Sequence, residues 1–218
     1  MLILDSEHNV LHDPDLRLVF DPARRRWLAA PGAAVGRECS WQQAAAWLQR
    51  GSGHPVRAPV AVVGPRHAGA EELATAKAIG SRLGEVGLAV VCGGRQGVME
   101  AVCRGADEKG GISIGLLPGI EPDDANPHVT VRIATGIGEA RNAIIARAGF
   151  CIVAIGNSYG TLSEVALGLQ FGRRVFGLCG AARLDGVLHC DDADAAIDAV
   201  CRLALAYGEA ESGRSDSG

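Results

Sequence analysis

Short apolar runs alternate with longer amphipathic stretches along the chain from Pro59 onward. Apolar runs of strand length that are bounded by glycine and polar residues are typical of strands buried on both faces of a parallel sheet. Between these runs, apolar residues recur at the spacing of a helix face. The pattern therefore predicts an α/β fold, a doubly wound, Rossmann-like and mostly parallel sheet with helices on both faces. We expect strands at 60–64, 88–92, 112–117, 129–133, 150–155 and 174–178, and helices near 70–85, 97–108, 137–147, 161–171 and 193–206.

The N-terminal part of the chain has a different pattern. Two apolar runs separated by turn-forming residues predict a hairpin, and Ser40 is placed to cap a short helix that ends at Gly51. All the tryptophans lie here, and we expect them to pack this part onto the main domain or a second subunit, or one of them to reach a ligand: Trp27, Trp41 and Trp47. We expect an appendage over 1–56, a Rossmann-like domain over 57–208 and a disordered tail over 209–218.

Composition narrows the class of protein. The 218 residues carry a formal net charge of −4 with 48% hydrophobic residues, enough for a full core and without a global attraction to nucleic acid polymers or anionic membranes. The seven cysteines form no C-x-x-C pair and their number is odd, which favours reduced thiols in a cytoplasmic protein without a zinc site. We expect neither a signal peptide nor a membrane helix, because no apolar run approaches about 18 residues.

Two glycine turns follow predicted strands and precede predicted helices. Gly156–Gly160 comes after the run 150–155, and Gly93, Gly94 and Gly97 come after the run 88–92. The unpaired N–H groups and the dipole at the start of a helix attract an anion, and glycine permits the turn. Two such turns in one small domain suggest a ligand with phosphate and sugar lying across the ends of neighbouring parallel strands.

Over about residues 58–180 the two turns together resemble the LOG (lonely-guy) family and its bacterial relatives in the SLOG superfamily. The run from Gly93 to Met99 is similar to the family's G-G-G-x-x-G-L-M-like turn, and the run from Gly156 to Glu164 is similar to its P-G-G-x-G-T-x-x-E motif. A family arginine falls on Arg141. The resemblance implies a nucleotide-binding domain and a homodimer, or a larger homo-oligomer, formed through the helices near 137–147 and 161–171.

The resemblance implies a nucleoside 5′-monophosphate phosphoribohydrolase, which hydrolyses the N-glycosidic bond to release base and ribose 5-phosphate. Arg141 and Glu164 are then the catalytic pair. The ligand-binding residues are expected to be Gly93, Gly94, Gly97, Met99, Glu100, Gly156, Asn157, Ser158, Tyr159, Gly160 and Thr161. The chain departs from the family where P-G-G becomes Gly156-Asn157-Ser158 and where a lysine becomes Asn142.

These departures support an alternative function in which the protein binds its ligand without catalysing a reaction. Another branch of the superfamily carries the molybdenum cofactor, and Asn157, Ser158 and Asn142 add hydrogen-bonding groups where the hydrolases have glycine or charge. The alternative is a binding or carrier protein for a phosphate-bearing, nucleotide-like ligand such as that cofactor. In both cases the partner is a small phosphorylated ligand, and we expect no resident cofactor and no metal site.

Structural explanations also exist for four of the candidate side chains. Thr161 and Glu164 have the spacing of a capping box, in which both side chains only satisfy backbone donors. Arg141 is alternatively an ordinary surface arginine like Arg147 on the same predicted helix. Glu100 either binds ribose hydroxyls or is a carboxylate favoured by the start of its helix.

Two other enzyme classes are excluded. A pyridoxal-phosphate decarboxylase needs a lysine at the site, but Lys77 and Lys109 both lie on predicted helices away from the turns. A nicotinamide dehydrogenase needs G-x-G-x-x-G after its first strand, and the sequence after Val63 is G-P-R-H-A-G. His67 in that turn is either a solvated loop histidine or a ligand contact.

Overall fold

The structure is a computed structural model that describes residues 1–30 and 32–207. The described residues group into two compact units, one formed by the N-terminal part up to Val56 with 198–207, the other by 57–197. The division into an appendage and a main domain that the sequence suggests stays a prediction. The tail expected at 209–218 lies outside the described residues.

The first unit contains an antiparallel sheet and a helix. Its elements are β1 (Leu2–Asp5), β2 (Val10–Asp13), β3 (Leu18–Asp21), β4 (Arg26–Ala29), β5 (Arg37–Cys39) and α1 (Trp41–Arg50). The strand order is β4-β3-β2-β1-β5. The predicted hairpin is β3 with β4, and the structure adds three strands that the sequence analysis missed. Helix α1 is capped as expected, because the side chain of Ser40 accepts a hydrogen bond from the Gln43 N–H.

An eight-residue repeat builds the turns of this sheet. Asp5, Asp13 and Asp21 end the first three strands, and each aspartate accepts hydrogen bonds from backbone N–H groups two or three residues on. Four residues after each aspartate, the backbone takes the left-handed conformation, at Asn9, Arg17 and Arg25 with φ of 56°, 52° and 51°. The same side-chain-to-backbone turn is therefore used three times in succession.

The tryptophans of this unit pack within it. Trp27 donates a hydrogen bond from Nε1 to the carbonyl oxygen of Leu205 at 2.8 Å. The ring of Tyr207 lies 5.4 Å from that of Trp27 and 4.4 Å from that of Trp41. Trp47 donates from Nε1 to Asn9 Oδ1 at 2.6 Å. The contacts of all three side chains therefore lie inside this unit, whereas the sequence analysis expected them to pack it onto the main domain or a second subunit.

The second unit is a seven-stranded parallel sheet with helices. Its elements are β6 (Val60–Val63), α2 (Ala70–Val86), β7 (Val90–Cys92), α3 (Val98–Asp107), β8 (Ser113–Leu117), β9 (Val131–Ala134), α4 (Asn142–Ala148), β10 (Cys151–Ile155), α5 (Tyr159–Gln170), β11 (Arg174–Leu178) and β12 (Val187–His189). Helix α6 (Ala193–Ala204) begins in this unit, and its residues from Asp198 on belong to the first. The order β12-β11-β10-β6-β7-β8-β9 confirms the doubly wound, Rossmann-like prediction. The strand β12 was missed.

The chain changes direction across the sheet between β6 and β10. From β6 it builds outward through β7, β8 and β9, then returns to place β10 on the other side of β6. All residues of β6 and β10 are buried, which explains their unbroken apolar sequences. Open α/β sheets bind ligands outside the carboxyl ends of the strands at such a point, so the two motifs meet where a ligand is expected.

Helices α2 and α3 pack unusually closely. A Cβ atom at Gly80 would lie 2.0 Å from the Val102 carbonyl oxygen, and one at Gly105 would lie 2.1 Å from the Lys77 carbonyl oxygen. Both helices therefore meet through backbone rather than side chains. Beside this contact Cys92 and Cys103, both free thiols, have their Sγ atoms 3.5 Å apart in the core.

An apolar groove crosses the surface of α4 next to Phe171, lined by Ala143, Ile144, Ala148 and the stem of Arg147. Ile144 is 44% exposed there. We expect the homodimer to form through this surface, so that the protein sediments as a dimer at micromolar concentration and Ile144→Asp sediments as a monomer. Ile112→Asp, at an exposed isoleucine elsewhere, is the control. A wild-type protein that sediments as a monomer would contradict the prediction.

Candidate functional site

A cleft of about 480 Å³ opens at the carboxyl ends of β6, β7 and β10. Its size is within the range of small-molecule sites. Eight of the residues expected from the sequence line it: Gly93, Met99, Arg141, Ser158, Tyr159, Gly160, Thr161 and Glu164. The structure therefore brings both motifs and both members of the expected catalytic pair to one cleft.

The second motif turns sharply after β10. Gly156 has φ +67°, a left-handed backbone conformation that residues with a side chain rarely adopt, so the turn favours glycine. Helix α5 then begins at Tyr159, two residues earlier than expected, and Ser158 is its cap: Ser158 Oγ accepts from the Thr161 N–H at 3.1 Å. The capping-box interpretation of Thr161 and Glu164 is therefore wrong. Both of these side chains are buried against the cleft.

Ser158 Oγ accepts the hydrogen bond of the Thr161 N–H, a donor that would be free to bind an anion if residue 158 were glycine. We expect Ser158→Gly to lower the free energy of unfolding by only a few tenths of a kcal/mol, while Ser158→Ala lowers it by about 1 kcal/mol. Both variants free the Thr161 N–H, but only Ser158→Gly also removes the side chain from the turn, so Ser158→Gly should tighten binding of inorganic phosphate the most. Thermal unfolding and calorimetric titration measure the two effects. Equal phosphate binding by the wild type and the glycine variant would contradict this.

Arg141 reaches the cleft from the end of a 3-10 helix over Gly138–Arg141. Its side chain is only 6% exposed, so the surface-arginine interpretation is wrong. Its guanidinium nitrogens lie 3.5 Å from Glu164 Oε1 and 3.4 Å from Glu139 Oε2. A Cβ atom at Gly93 would lie 2.8 Å from Arg141 Nη2, so that glycine makes room for the guanidinium. Among the described residues, buried Arg141 Nε has no hydrogen-bond partner.

Asn142 holds Arg141 in place. Its Oδ1 accepts a hydrogen bond from Arg141, and its Nδ2 donates to Ser163 Oγ at 3.0 Å. Ser163 Oγ in turn donates to the Gly160 carbonyl oxygen at 2.7 Å. The asparagine that replaces the family lysine thus ties the arginine to the first turn of α5.

Glu164 is a buried carboxyl with little to neutralise it. Burial raises its pKa to about 8, more than the neighbouring Arg141 lowers it, and the charge of Glu139 adds to the rise. At neutral pH Glu164 therefore keeps its proton for most of the time. In that form it donates a hydrogen bond instead of presenting a negative charge.

The first glycine turn contributes only part of its expected residues. Gly93 and Met99 line the cleft, whereas Gly97 and Glu100 line a second cleft on the other side of the turn. Gly94 serves the fold, since a Cβ atom there would lie 2.9 Å from the Gly115 Cα. In the second motif, Gly156 and Asn157 also lie outside the lining of the first cleft.

Two arginines of the cleft were missed in the sequence analysis. Arg66 follows β6 and Arg95 follows β7, each at the carboxyl end of a strand beside the switch point. Arg95 Nε, like Arg141 Nε, is buried and has no hydrogen-bond partner in residues 1–30 and 32–207. Glu139 is the third charged residue that was missed. The positions of the two arginines in the sequence could have indicated their role, because side chains directly after neighbouring parallel strands lie at the same edge of the sheet.

Three arginines therefore surround a cleft whose acids are Glu139 and the mostly protonated Glu164. The arrangement is suited to an anion with several oxygen atoms, because guanidinium groups donate paired hydrogen bonds to phosphate. Within residues 1–30 and 32–207, no cluster of three or more histidine, cysteine or acidic side chains is placed to hold a metal ion. In the same ranges, no helix has the length and apolarity to cross a membrane.

Comparison with known proteins gives consistent matches. The model of the SLOG cluster4 family matches residues 57–199. An uncharacterised protein of Archaeoglobus fulgidus is 36% identical over 128 residues, which are 59% of this chain and 84% of that protein.

Two solved structures are similar in fold and sequence. The molybdenum cofactor binding protein of Rippkaea orientalis superimposes with a TM-score of 0.64 and 30% identity, covering 68% of this chain and 98% of that one. The molybdenum cofactor carrier protein of Chlamydomonas reinhardtii superimposes with a TM-score of 0.62 and 35% identity, covering 69% of this chain and 99% of that one.

Proposed function

Because the chain belongs to the SLOG cluster4 family, we propose that it binds and carries a phosphate-bearing, nucleotide-like ligand such as the molybdenum cofactor. The observation that carries the proposal is the cleft with three arginines, two of which hold buried Nε–H groups that have no partner in the part of the chain that the structure describes. Buried donors without partners are costly, and a bound anion satisfies them. The two similar structures, named for binding and carrying that cofactor, support the choice of ligand.

The phosphate of such a ligand fits the start of α5. The Tyr159 and Gly160 N–H groups at that helix end attract an anion, and Arg141 and Arg95 add charge-assisted donors. The pterin of the cofactor is a flat ring system with hydrogen-bonding edges. Tyr159, which is 94% exposed at the cleft, offers it an aromatic surface.

The protonation of Glu164 favours a carrier over a hydrolase. A neutral carboxyl beside a phosphate does not repel it and donates one more hydrogen bond. A phosphoribohydrolase needs the same residue ionised, because its transition state develops positive charge on the ribose. A phosphate dianion nearby raises the pKa of Glu164 further, which moves the site away from the ionised form.

Hydrolysis of nucleoside monophosphates is the second candidate. It is favoured by the convergence of Arg141 and Glu164, since a guanidinium nitrogen and a carboxyl oxygen of the two lie 3.5 Å apart in one cleft. The arginine would clamp the phosphate or the departing base, and the carboxylate would stabilise the ribose cation and orient water. With Glu164 at a pKa of about 8, the rate of such an enzyme would rise with pH up to and beyond that value.

Equilibrium dialysis against the molybdenum cofactor, and incubation with a panel of nucleoside 5′-monophosphates, separate the two functions. For a carrier we expect saturable one-to-one binding of the cofactor and no release of free base or ribose 5-phosphate. Base release that increases from pH 6 to pH 9 would establish the hydrolase instead. Absence of cofactor binding, with or without base release, would overturn the carrier proposal.

A further inference from the structure

A second and larger cleft, of about 820 Å³, lies beside the first. It opens between the first turns of α2 and α3 and the loop that follows β6. The residues that line it are Arg66, His67, Ala68, Leu73, Ala74, Lys77, Gly97, Glu100, Ala101 and Arg104. Its volume is large enough for a nucleoside with its phosphates.

The polarity of this cleft matches a nucleoside phosphate. Its lining includes basic side chains and one acid, Glu100 on α3. It also includes the exposed apolar side chain of Leu73 and three alanines. The cations Lys77 and Arg104 pair with surface acids at 2.8 Å, Lys77 with Glu108 and Arg104 with Glu100. Exposed pairs of this kind contribute little stability, so a ligand can replace them at small cost.

Arg66 joins the two clefts. Its exposed side chain lines both of them, so a ligand that leaves the first cleft past Arg66 enters the second. Gly97 allows the backbone of the first glycine turn to lie directly against the backbone of Arg66, since a Cβ atom at Gly97 would lie 2.2 Å from the Arg66 carbonyl oxygen. A guanidinium at the junction of two subsites is suited to a pyrophosphate, whose oxygens it binds in pairs.

We infer that the second cleft holds the nucleoside half of a dinucleotide ligand, with the pyrophosphate at Arg66 and the other half in the first cleft. Glu100 accepts hydrogen bonds from the ribose hydroxyls, and Leu73 with Ala74 forms an apolar floor for the base. The inference rests on the proposed function and specifies its ligand class. The cargo is then the cofactor form in which a pyrophosphate joins the pterin to a nucleoside.

The test compares two probes, the molybdenum cofactor with a terminal phosphate and the cofactor whose phosphate is joined to GMP. We expect the wild-type protein to bind the GMP-joined form at least tenfold more tightly. Ala74→Trp fills the second cleft and should abolish this preference while leaving binding of the phosphate form within twofold. Arg66→Gln should weaken the GMP-joined form more than the phosphate form.

Ala78→Trp is the matched control, since Ala78 is an exposed alanine one turn further along α2 and outside the cleft lining. It should keep the tenfold preference. Equal binding of both forms by the wild type, or a preference that survives in Ala74→Trp, overturns this inference and leaves the proposed function standing. If neither form binds, the proposed function itself fails and this inference with it.

Discussion

Replacement of Arg141 by methionine is expected to weaken binding of a phosphate-bearing ligand by about two orders of magnitude or more. Arg141 is buried in the cleft, and its Nε–H has no partner within the described residues. Hydrogen bonds from a charged group are worth roughly 1.5–3 kcal/mol each, and a guanidinium makes two to a phosphate. Calorimetric titration of the wild type and the variant with the molybdenum cofactor measures the loss.

Arg147→Met is the matched control for this variant. Arg147 lies on α4 only six positions further, but it is exposed and stacks 4.5 Å above the ring of Phe171, away from the cleft. We expect its replacement to leave the affinity within twofold. An Arg141→Met protein that remains folded and binds within threefold of the wild type would show that the ligand lies elsewhere.

Replacement of Glu164 by glutamine is expected to stabilise the protein at high pH. The pKa of Glu164 is about 8 in the native state against an ordinary value of 4.5, so between these values the native state holds a proton that the unfolded chain releases. The contribution of Glu164 to the free energy of unfolding is largest below pH 4.5, falls as the pH rises, and reaches its minimum above pH 8. The side chain of the variant cannot ionise. Relative to the wild type, the free energy of unfolding of the variant should therefore rise by more than about 1 kcal/mol between pH 5 and pH 9.

Thermal unfolding at pH 5, 7 and 9 tests this, with Glu71→Gln as the control because Glu71 is exposed on α2 and lies outside the lining of the first cleft. A difference between variant and wild type that stays constant with pH would show that Glu164 is ionised in the native protein. The same variant also separates the two functions. In a carrier its affinity should hold or rise, whereas in a hydrolase its turnover should fall by about 100-fold or more.

The sheet and both glycine turns were predictable because they follow from local patterns. Strands such as β10, buried on both faces, are continuous apolar runs, and the turn at Gly156 takes a left-handed conformation that favours glycine. The start of α5 was misplaced because the sequence offers two caps, Ser158 and Thr161. Both have a suitable hydroxyl, and only the tertiary structure buries Thr161 against the cleft and leaves Ser158 to cap the helix.

The charges of the site were harder to predict than its backbone. Arg66 and Arg95 carry no motif, and only the strand order brings the ends of β6 and β7 next to each other. Glu100 was expected in the same cleft as Glu164, but Gly97 packs against the backbone at Pro65 and Arg66 and leaves Glu100 facing α2. The side of a turn to which a side chain projects depends on tertiary packing, which the sequence pattern alone does not give.

The eight-residue repeat of the N-terminal sheet has a consequence for how this part of the chain can change in length. Side chains alternate between the two faces of a strand, so an insertion of an odd number of residues exchanges the buried and the exposed face. Eight is even, and each repeat contains its own aspartate-supported turn. Duplication or deletion of one whole repeat therefore adds or removes a strand while every remaining side chain keeps its face.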